Sequence, residues 1–480
     1  MPIKLVFLWT DLALWALFAV LAAYAWHAAR QPPLRATWGK AMRDGATLGA
    51  AAVLAIFMLV SALDSVHFRR ALPNAPGQAG GVTFYDPRTE SLLDLLLTRP
   101  LQMREASYSA PLATHALFKE NFERDGAIVR EEPRLQFGGA QLADPQRDWA
   151  ADVLARVAWG CAGGLLLTLV ASLALSAWVA RQQGTLLQRW RAIVNGRTRY
   201  PWRVPLLTLA AIALMAGSVA ALMGQYHVLG TDRTGNDVLV QALKSVRTAF
   251  VIGTLSTLAT VPVALVLGVL AGYFKGWVDE AVQYLYTVLT SVPNVLLIAA
   301  CVLMVQVFID THGDLFDTGL ERADLKMFLL CMILGLTGWA TLCRLVRAET
   351  LKLRDLDFMQ AAEAFGVPHM RAMARHIVPN VMHLVLITTV LNFSDLILYE
   401  AVLTYVGVGV DPSLNSFGGM INLARVEMSG DPIVWWSFFA AFGFMLALVL
   451  AANLFADGVR DAFDPRARAF RLRRLVHKAV

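Results

Sequence analysis

Two groups of residues in this 480-residue chain have types and spacing that could do chemistry. Asp395 and Glu400 stand five residues apart inside a long apolar segment, where ionisable groups ordinarily face a bundle interior or water. Carboxylates so placed can relay protons, meet a substrate or brace a turn. The second group is the stretch FMQAAEAFGVPHMRAMARHIVPN, Phe358 to Asn380, which is polar, helix-prone and basic between two apolar segments. Its alanine-rich turn (Ala361, Ala362, Ala364), Gly366 and Pro379 predict helix, turn, helix and stop. A surface so unlike its surroundings predicts a docking site for another chain. The sequence holds no G-x-x-x-x-G-K-[ST], H-E-x-x-H or G-x-S-x-G pattern, so it supplies no recognisable nucleotide cradle, zinc site or exposed nucleophilic serine. The chain therefore does not read as an enzyme, and no cofactor is expected on it.

The elements that position these residues follow from composition. Hydrophobic residues make up 57% and charged residues 16%, with mean hydropathy +0.53; soluble domains carry about a quarter charged residues. The reading is an all-α integral membrane protein in contact with lipid. The net charge of +6 does not point to nucleic acid, because the basic residues cluster beside apolar segments rather than along one polar face. Cys161, Cys301, Cys331 and Cys343 lie in or beside apolar segments without metal-site or disulfide spacing, and are expected to be small buried packing residues.

Crossing roughly 30 Å of hydrocarbon takes about 20 helical residues. Nine segments qualify: residues 5–27, 46–64, 152–180, 204–224, 248–273, 281–308, 326–346, 381–405 and 433–455. Pro293 is expected to kink the sixth, and Gly268 and Gly272 form a G-x-x-x-G pair that permits close helix packing. Arg181, Arg189, Arg191, Arg197, Arg199 and Arg203 in one connection, and Arg466 to Lys478 in the tail, place both on the cytoplasmic side. The acidic connection with Asp310, Asp314, Asp317, Glu321 and Asp324 belongs outside. The N-terminus is then outside and the C-terminus cytoplasmic. Asp11 interrupts the first apolar run and no clean cleavage triplet follows, so that run reads as a span rather than a secretory signal. Residues 65–150 form the one sizeable extramembrane region, with a Gly/Pro-rich linker from Pro73; a small helical cap is expected there. Its run SLLDLLLTRPL is amphipathic and too short to span, which suits either packing on the membrane surface or docking of a partner.

Four motifs in order resemble those of the second permease subunit of dipeptide and oligopeptide ABC importers, over about residues 225–470. HVLGTDRTGNDVL from His227 is similar to the family's LGTDxxGRDVL element, with Asn236 at the usual arginine. GYFKGWVDE from Gly272 is similar to its GYFGGWVD turn. The stretch 358–380 resembles the EAA loop by which such permeases grip their ATPases, with Gln360 at the usual glutamate and His376 at a usual isoleucine. ILYEAVLTYVGVGVDPSLNSFGGMI from Ile397 and FADGVRDAFDPR from Phe455 complete the set, with Phe417 at a usual tryptophan.

The resemblance implies a bacterial inner-membrane permease whose type I core of six helices sits within the nine-helix bundle. It implies a homologous permease partner, two cytoplasmic ABC ATPases that hold ATP and Mg, and an extracytoplasmic substrate-binding protein. Gln360, Ala361, Ala362, Glu363, Gly366, Arg371, Arg375, His376 and Pro379 would form the ATPase-coupling surface. Asp395, Glu400, Pro412 and Phe417 would belong to the translocation path or outer gate, with Gly407, Gly409, Gly418 and Gly419 making the stretch beyond Glu400 irregular.

The chain then divides into N-terminal helices (1–64), an extracytoplasmic region (65–150), a helix pair with a basic loop (151–224), the permease core (225–465) and a basic tail (466–480). The three spans beyond six are either a simple N-terminal addition, or the second is the family's first helix and the third and fourth are inserted. The long polar region at 65–150 favours the second arrangement. Two other classes fit parts of the pattern: a proton-coupled secondary transporter using Asp395 and Glu400, and a membrane assembly or sensor protein whose outer region binds a partner.

Overall fold

The computed structural model describes residues 3–72, 85–124, 127–179, 186–196, 198, 200–313 and 318–463. The linker from Pro73, Arg181, Arg197, Arg199, Asp314, Asp317 and the tail 466–480 lie outside those residues. In chain order the first elements are β1 (Ile3–Val6), α1 (Trp9–Arg30), α2 (Pro32–Ala41), α3 (Gly45–Asp64), β2 (His67–Arg70) and β3 (Glu90–Ser91). There follow α4 (Leu92–Leu96), α5 (Thr98–Gln102), β4 (Glu120–Arg124), β5 (Ala127–Glu131), α6 (Pro145–Val179), α7 (Leu186–Val194) and α8 (Arg203–Leu222). The remainder is α9 (Val238–Phe274), α10 (Gly276–Ser291), α11 (Asn294–Thr311), α12 (Gly319–Gly338), α13 (Ala340–Arg354), α14 (Asp357–Ala364), α15 (His369–Ala372), α16 (Val378–Tyr405), α17 (Phe417–Glu427) and α18 (Trp436–Phe463).

Among the described residues eight helices are long and apolar enough to cross a membrane, and α12 with α13, bent by 41°, make a ninth when the pair is counted as one span. Three expectations change. The first span starts at Trp9, because Ile3–Val6 is a strand paired antiparallel with β2, Ile3 opposite Arg70. The sixth is not one kinked helix: α10 ends at Ser291, Val292 is extended and α11 starts after Pro293, as the steric demand of a proline on its predecessor favours. Residues 65–150 are not a helical cap but a mixed region, with a three-stranded sheet ordered β1-β2-β3, the β4–β5 hairpin and two five-residue helices. Strand β1 comes from a distant part of the chain, so local periodicity could not announce the sheet. Of the cysteines, Cys331 and Cys343 are buried, whereas Cys161 and Cys301 are only half-buried; all four are free.

The chain divides into two compact units. The first comprises Met1–Phe7, Met42–Thr248 and Leu414–Ala451. Here α6 and α8 pack backbone to backbone: a Cβ on Gly160 would stand 2.4 Å from the Gly217 carbonyl oxygen, and one on Gly164 2.3 Å from that of Ala213. Small residues at this seam let dispersion contacts form along the pair, which is the main source of helix association in lipid. Helix α4 opens with a reciprocal cap between Ser91 and Asp94 and buries Leu93 and Leu97 beside Val240 of α9, while Leu95, Leu96 and Leu101 are exposed.

The first unit also explains the motif at His227. Asp232 accepts the backbone N–H groups of Thr234 and Asn236 and so closes the turn. Asp237 caps α9 by accepting the Leu239 N–H at 2.9 Å, and its other oxygen lies 2.9 Å from His227 Nδ1. On the far side of the imidazole, Glu105 Oε1 lies 3.5 Å from Nε2. The Glu105 carboxylate also accepts the N–H groups of Gln136, Phe137 and Gly138 at 2.9 to 3.0 Å. Burial alone would push the Glu105 carboxyl up, but His227 first and then these backbone bonds hold it at about 2. Burial would likewise depress His227, but Asp237 and Glu105 raise it to about 9. The motif is thus a buried charged clasp that ties residues 105–138 to the start of α9.

Gly217→Ala should destabilise the detergent-solubilised protein by about 1–3 kcal/mol through overpacking, whereas Gly163→Ala, where a Cβ meets nothing within 4 Å, should be neutral or slightly stabilising in the same thermal melt. The clasp predicts a pH window. The His227 contribution is complete below 6.5 and is lost as pH rises through about 9. The Glu105 contribution is complete above 4.5 and is lost as pH falls through about 2. Resistance of residues 105–138 to proteolysis should therefore peak between those limits, and His227→Gln should remove the alkaline limb.

Candidate functional site

The second unit comprises Leu8–Ala41, Ala249–Ser413 and Ala452–Val480 and contains the stretch 358–380 expected to dock a partner. Helix α14 ends at Phe365, after which Gly366 adopts φ +70°. The Gly366 N–H donates to the Glu363 carbonyl at 2.9 Å and the Val367 N–H to that of Ala362 at 3.0 Å, the paired bonds of a Schellman cap. A side chain at Gly366 would meet open space, so the glycine is required by its backbone conformation and not by crowding. Pro368 then precedes α15, which continues through a π turn, Met373–Ile377, into α16.

Pro379 does not end the second helix as its type suggested. The wider π turn lets the Val378 N–H reach the Met373 carbonyl, and Pro379 falls in the first turn of α16, where a missing N–H costs little. Helix, turn and helix are present; the stop is not.

One face of this stretch is anchored. Met359, Ala372, Met373 and Ile377 are buried in one cluster with Leu342, Cys343 and Val346 of α13 and Tyr273 of α9, and Ala362 is buried as well. The Tyr273 hydroxyl lies 2.9 Å from His369 Nδ1, and the ring of Phe274 also packs on His369. Here the GYFKGWVDE motif meets the docking stretch. Its Asp279 takes two hydrogen bonds from the Arg347 guanidinium, which holds the Asp279 carboxyl below the usual carboxylate range. Gly268 and Gly272 of α9 lie on α13, where Cβ atoms would meet Val346 at 2.8 Å and Thr350 at 2.6 Å. The close packing expected of that pair is present.

The other face is open. Phe365 is 88% exposed and Met370 72%, with Phe358 also exposed. Gln360, Ala361, Glu363, Arg371, Arg375 and Pro379 are exposed, His376 is half-buried beside the Phe358 ring, and Ala362 alone of the expected surface points into the core. Gln360 donates to the Asp355 carbonyl at 3.2 Å. The result is a rigid wedge with an apolar tip and a basic flank. Sequence reasoning named its polar residues and missed the apolar tip, Phe365 and Met370, although their place beside the turn was readable.

The acids of α16 occupy different faces. Glu400 is 1% exposed and accepts the Thr404 hydroxyl at 2.8 Å, and that hydroxyl accepts the Val410 N–H at 3.2 Å. Gly407, at φ +89°, ends the helix with a second Schellman cap, from Gly407 to Thr404 and from Val408 to Leu403. Asp395 is exposed, and five residues of helix set the two acids about 140° apart. Asp411, beyond the cap, pairs with Lys326 of α12 at 3.0 Å, next to exposed Pro412. In the first unit Phe417 is fully buried at the start of α17, which Ser416 caps. Among the described residues no group of His, Cys, Asp and Glu could hold a metal ion.

Comparison with known proteins gives a coherent match. Residues 264–469 match the family described as binding-protein-dependent transport system inner membrane component. The chain is 31% identical over 251 residues to the oligopeptide transport system permease protein OppC of Haemophilus influenzae, covering 52% of this chain and 74% of that protein. It is 30% identical over 242 residues to OppC of Bacillus subtilis, covering 50% and 72%. It is 30% identical over 243 residues to the glutathione transport system permease protein GsiD of Pectobacterium atrosepticum, covering 51% and 74%. With its apolar spans and all four motifs in or beside the matched region, the chain belongs to the family of binding-protein-dependent inner-membrane permeases of ABC importers.

Proposed function

We propose that this chain is one permease subunit of an ATP-driven importer of di- or oligopeptides, coupled through residues 358–380 to a separate ATPase. The observation that carries the reading is the wedge whose inner face is locked by Met359, Met373 and Ile377 while Phe365 and Met370 stand free. An apolar tip held on a rigid base can seat in a groove and transmit displacement instead of absorbing it. The peptide class is supported by the names of the oligopeptide permeases it resembles.

In this reading the N-terminus is extracytoplasmic and the C-terminus cytoplasmic, and a binding protein delivers substrate to the outer side. A homologous permease supplies the other half of the path, and two ATPases hold ATP and Mg. Closure of the ATPase pair on ATP pushes the wedge, which moves α13 and α16 through their shared core, and the two permease bundles rock between inward-open and outward-open states. Helix α3 serves as the first helix of the core, supported by the packing of its Val60 and Leu63 with Val240 of α9.

Phe365→Ser should leave the melting temperature of the isolated chain unchanged, since the ring is exposed, but reduce co-purification of the ATPase subunits about tenfold, as for loss of a central apolar anchor. Gly366→Val forces a β-branched residue into the left-handed region at a cost of about 1–2 kcal/mol; ATP hydrolysis should persist while uptake falls. Recovery of the chain under gentle conditions with no ATPase bound, or undiminished uptake by both variants, would overturn the coupling role.

A further inference from the structure

Asp395 has no accommodation in the fold. It lies ten residues before the end of α16, about 15 Å at 1.5 Å per residue, and hence near the middle of a span that must cross roughly 30 Å. It is exposed, and no described side chain bonds it, whereas Glu400 on another face of the same helix is enclosed and bonded. The exposed stripe that holds Asp395 runs from Leu391 through Leu398 and Tyr399 to Val402, so the acid shares it with one further polar group, the Tyr399 hydroxyl. A lipid-facing stripe at this depth would be wholly apolar, because hydrocarbon cannot solvate a carboxylate.

Resting on the permease reading above, we propose that this stripe lines the water-filled translocation path, and that Asp395 favours substrates bearing a cationic group, such as lysine-rich peptides. The acid offers an acceptor-only site at mid-membrane, with Tyr399 about one helical turn away to bond the same ammonium or guanidinium. Glu400 does not share this role, since it is enclosed and its Oε1 serves the turn at Val410 through Thr404.

The test uses the complete complex, with both permeases, the ATPases and one binding protein, reconstituted in vesicles. ATP-driven uptake of trilysine, trialanine and triglutamate is compared between the unmodified complex and Asp395→Asn. The expected result is a fall of about tenfold in trilysine uptake, the loss of one charge-assisted contact, with trialanine unchanged and triglutamate unchanged or raised. In parallel, Asp395→Cys is treated with a membrane-impermeant maleimide against the unmodified chain, whose four native thiols set the background. Labelling above background, faster during ATP turnover, is expected. Equal loss for all three peptides together with an unlabelled cysteine would mean that Asp395 pairs with a cation of the partner permease, and would overturn the proposal. Unchanged trilysine uptake would also overturn it. If the unmodified complex imports none of the three, the peptide reading fails and the cationic preference with it, while labelling still decides whether the stripe faces water.

Discussion

A backbone N–H or carbonyl cannot be left unpaired in hydrocarbon, and this constraint explains where the chain is allowed to break. Long helices satisfy it automatically, and the interruptions occur where an explicit device takes over. Gly366 and Gly407 close helix ends with reciprocal bonds, the π turn at Met373–Ile377 carries the ladder past Pro379, and Thr404 takes the Val410 N–H under the hold of Glu400. Each is also a place where the permease must present something other than a smooth rod. The wedge at Gly366 and the turn beyond α16 are local departures from helix in which these bonds take the place of the helical ladder.

Rigidity at the wedge comes from a different source. Helices α9, α13, α14 and α16 share one buried cluster, and two glycines bring α9 and α13 close enough for that cluster to be continuous. The Arg347–Asp279 pair and the Tyr273–His369 bond are part-buried and border it. Polar contacts there orient the elements, and apolar burial supplies most of the cohesion.

Much of this was legible in the residues. Apolar run length located α1, α3, α8 and α16 to within a few residues, because the membrane fixes the length a span must have, whereas α6, α9 and α18 run on well past the apolar stretch that announced them. The turn at Gly366 was readable because few residues but glycine adopt its φ without strain. Three features were not. The sheet at the N-terminus depends on Ile3–Val6 pairing with His67–Arg70, a contact between distant segments that no local pattern encodes. The break before Pro293 and the continuity across Pro379 depend on whether neighbouring backbone can be re-paired, which a proline alone does not reveal. Glu105 belongs to no motif, and only folding shows that it faces the second ring nitrogen of His227. Of the expected coupling surface, Ala362 turned inward because an eight-residue helix has room for only one buried stripe.

Helix α1 is held in the second unit by a carboxylate. Asp324 of α12 accepts both the backbone N–H and the hydroxyl of Thr10, 314 residues earlier in the chain. Asp324 is fully buried, so α12 reaches its final environment only with α1 beside it. During synthesis the first helix enters the membrane long before the acid it serves, and must remain within reach while more than half of the protein is made. The contact between Thr10 and Asp324 therefore closes only after α12 has been made, late in the order of synthesis.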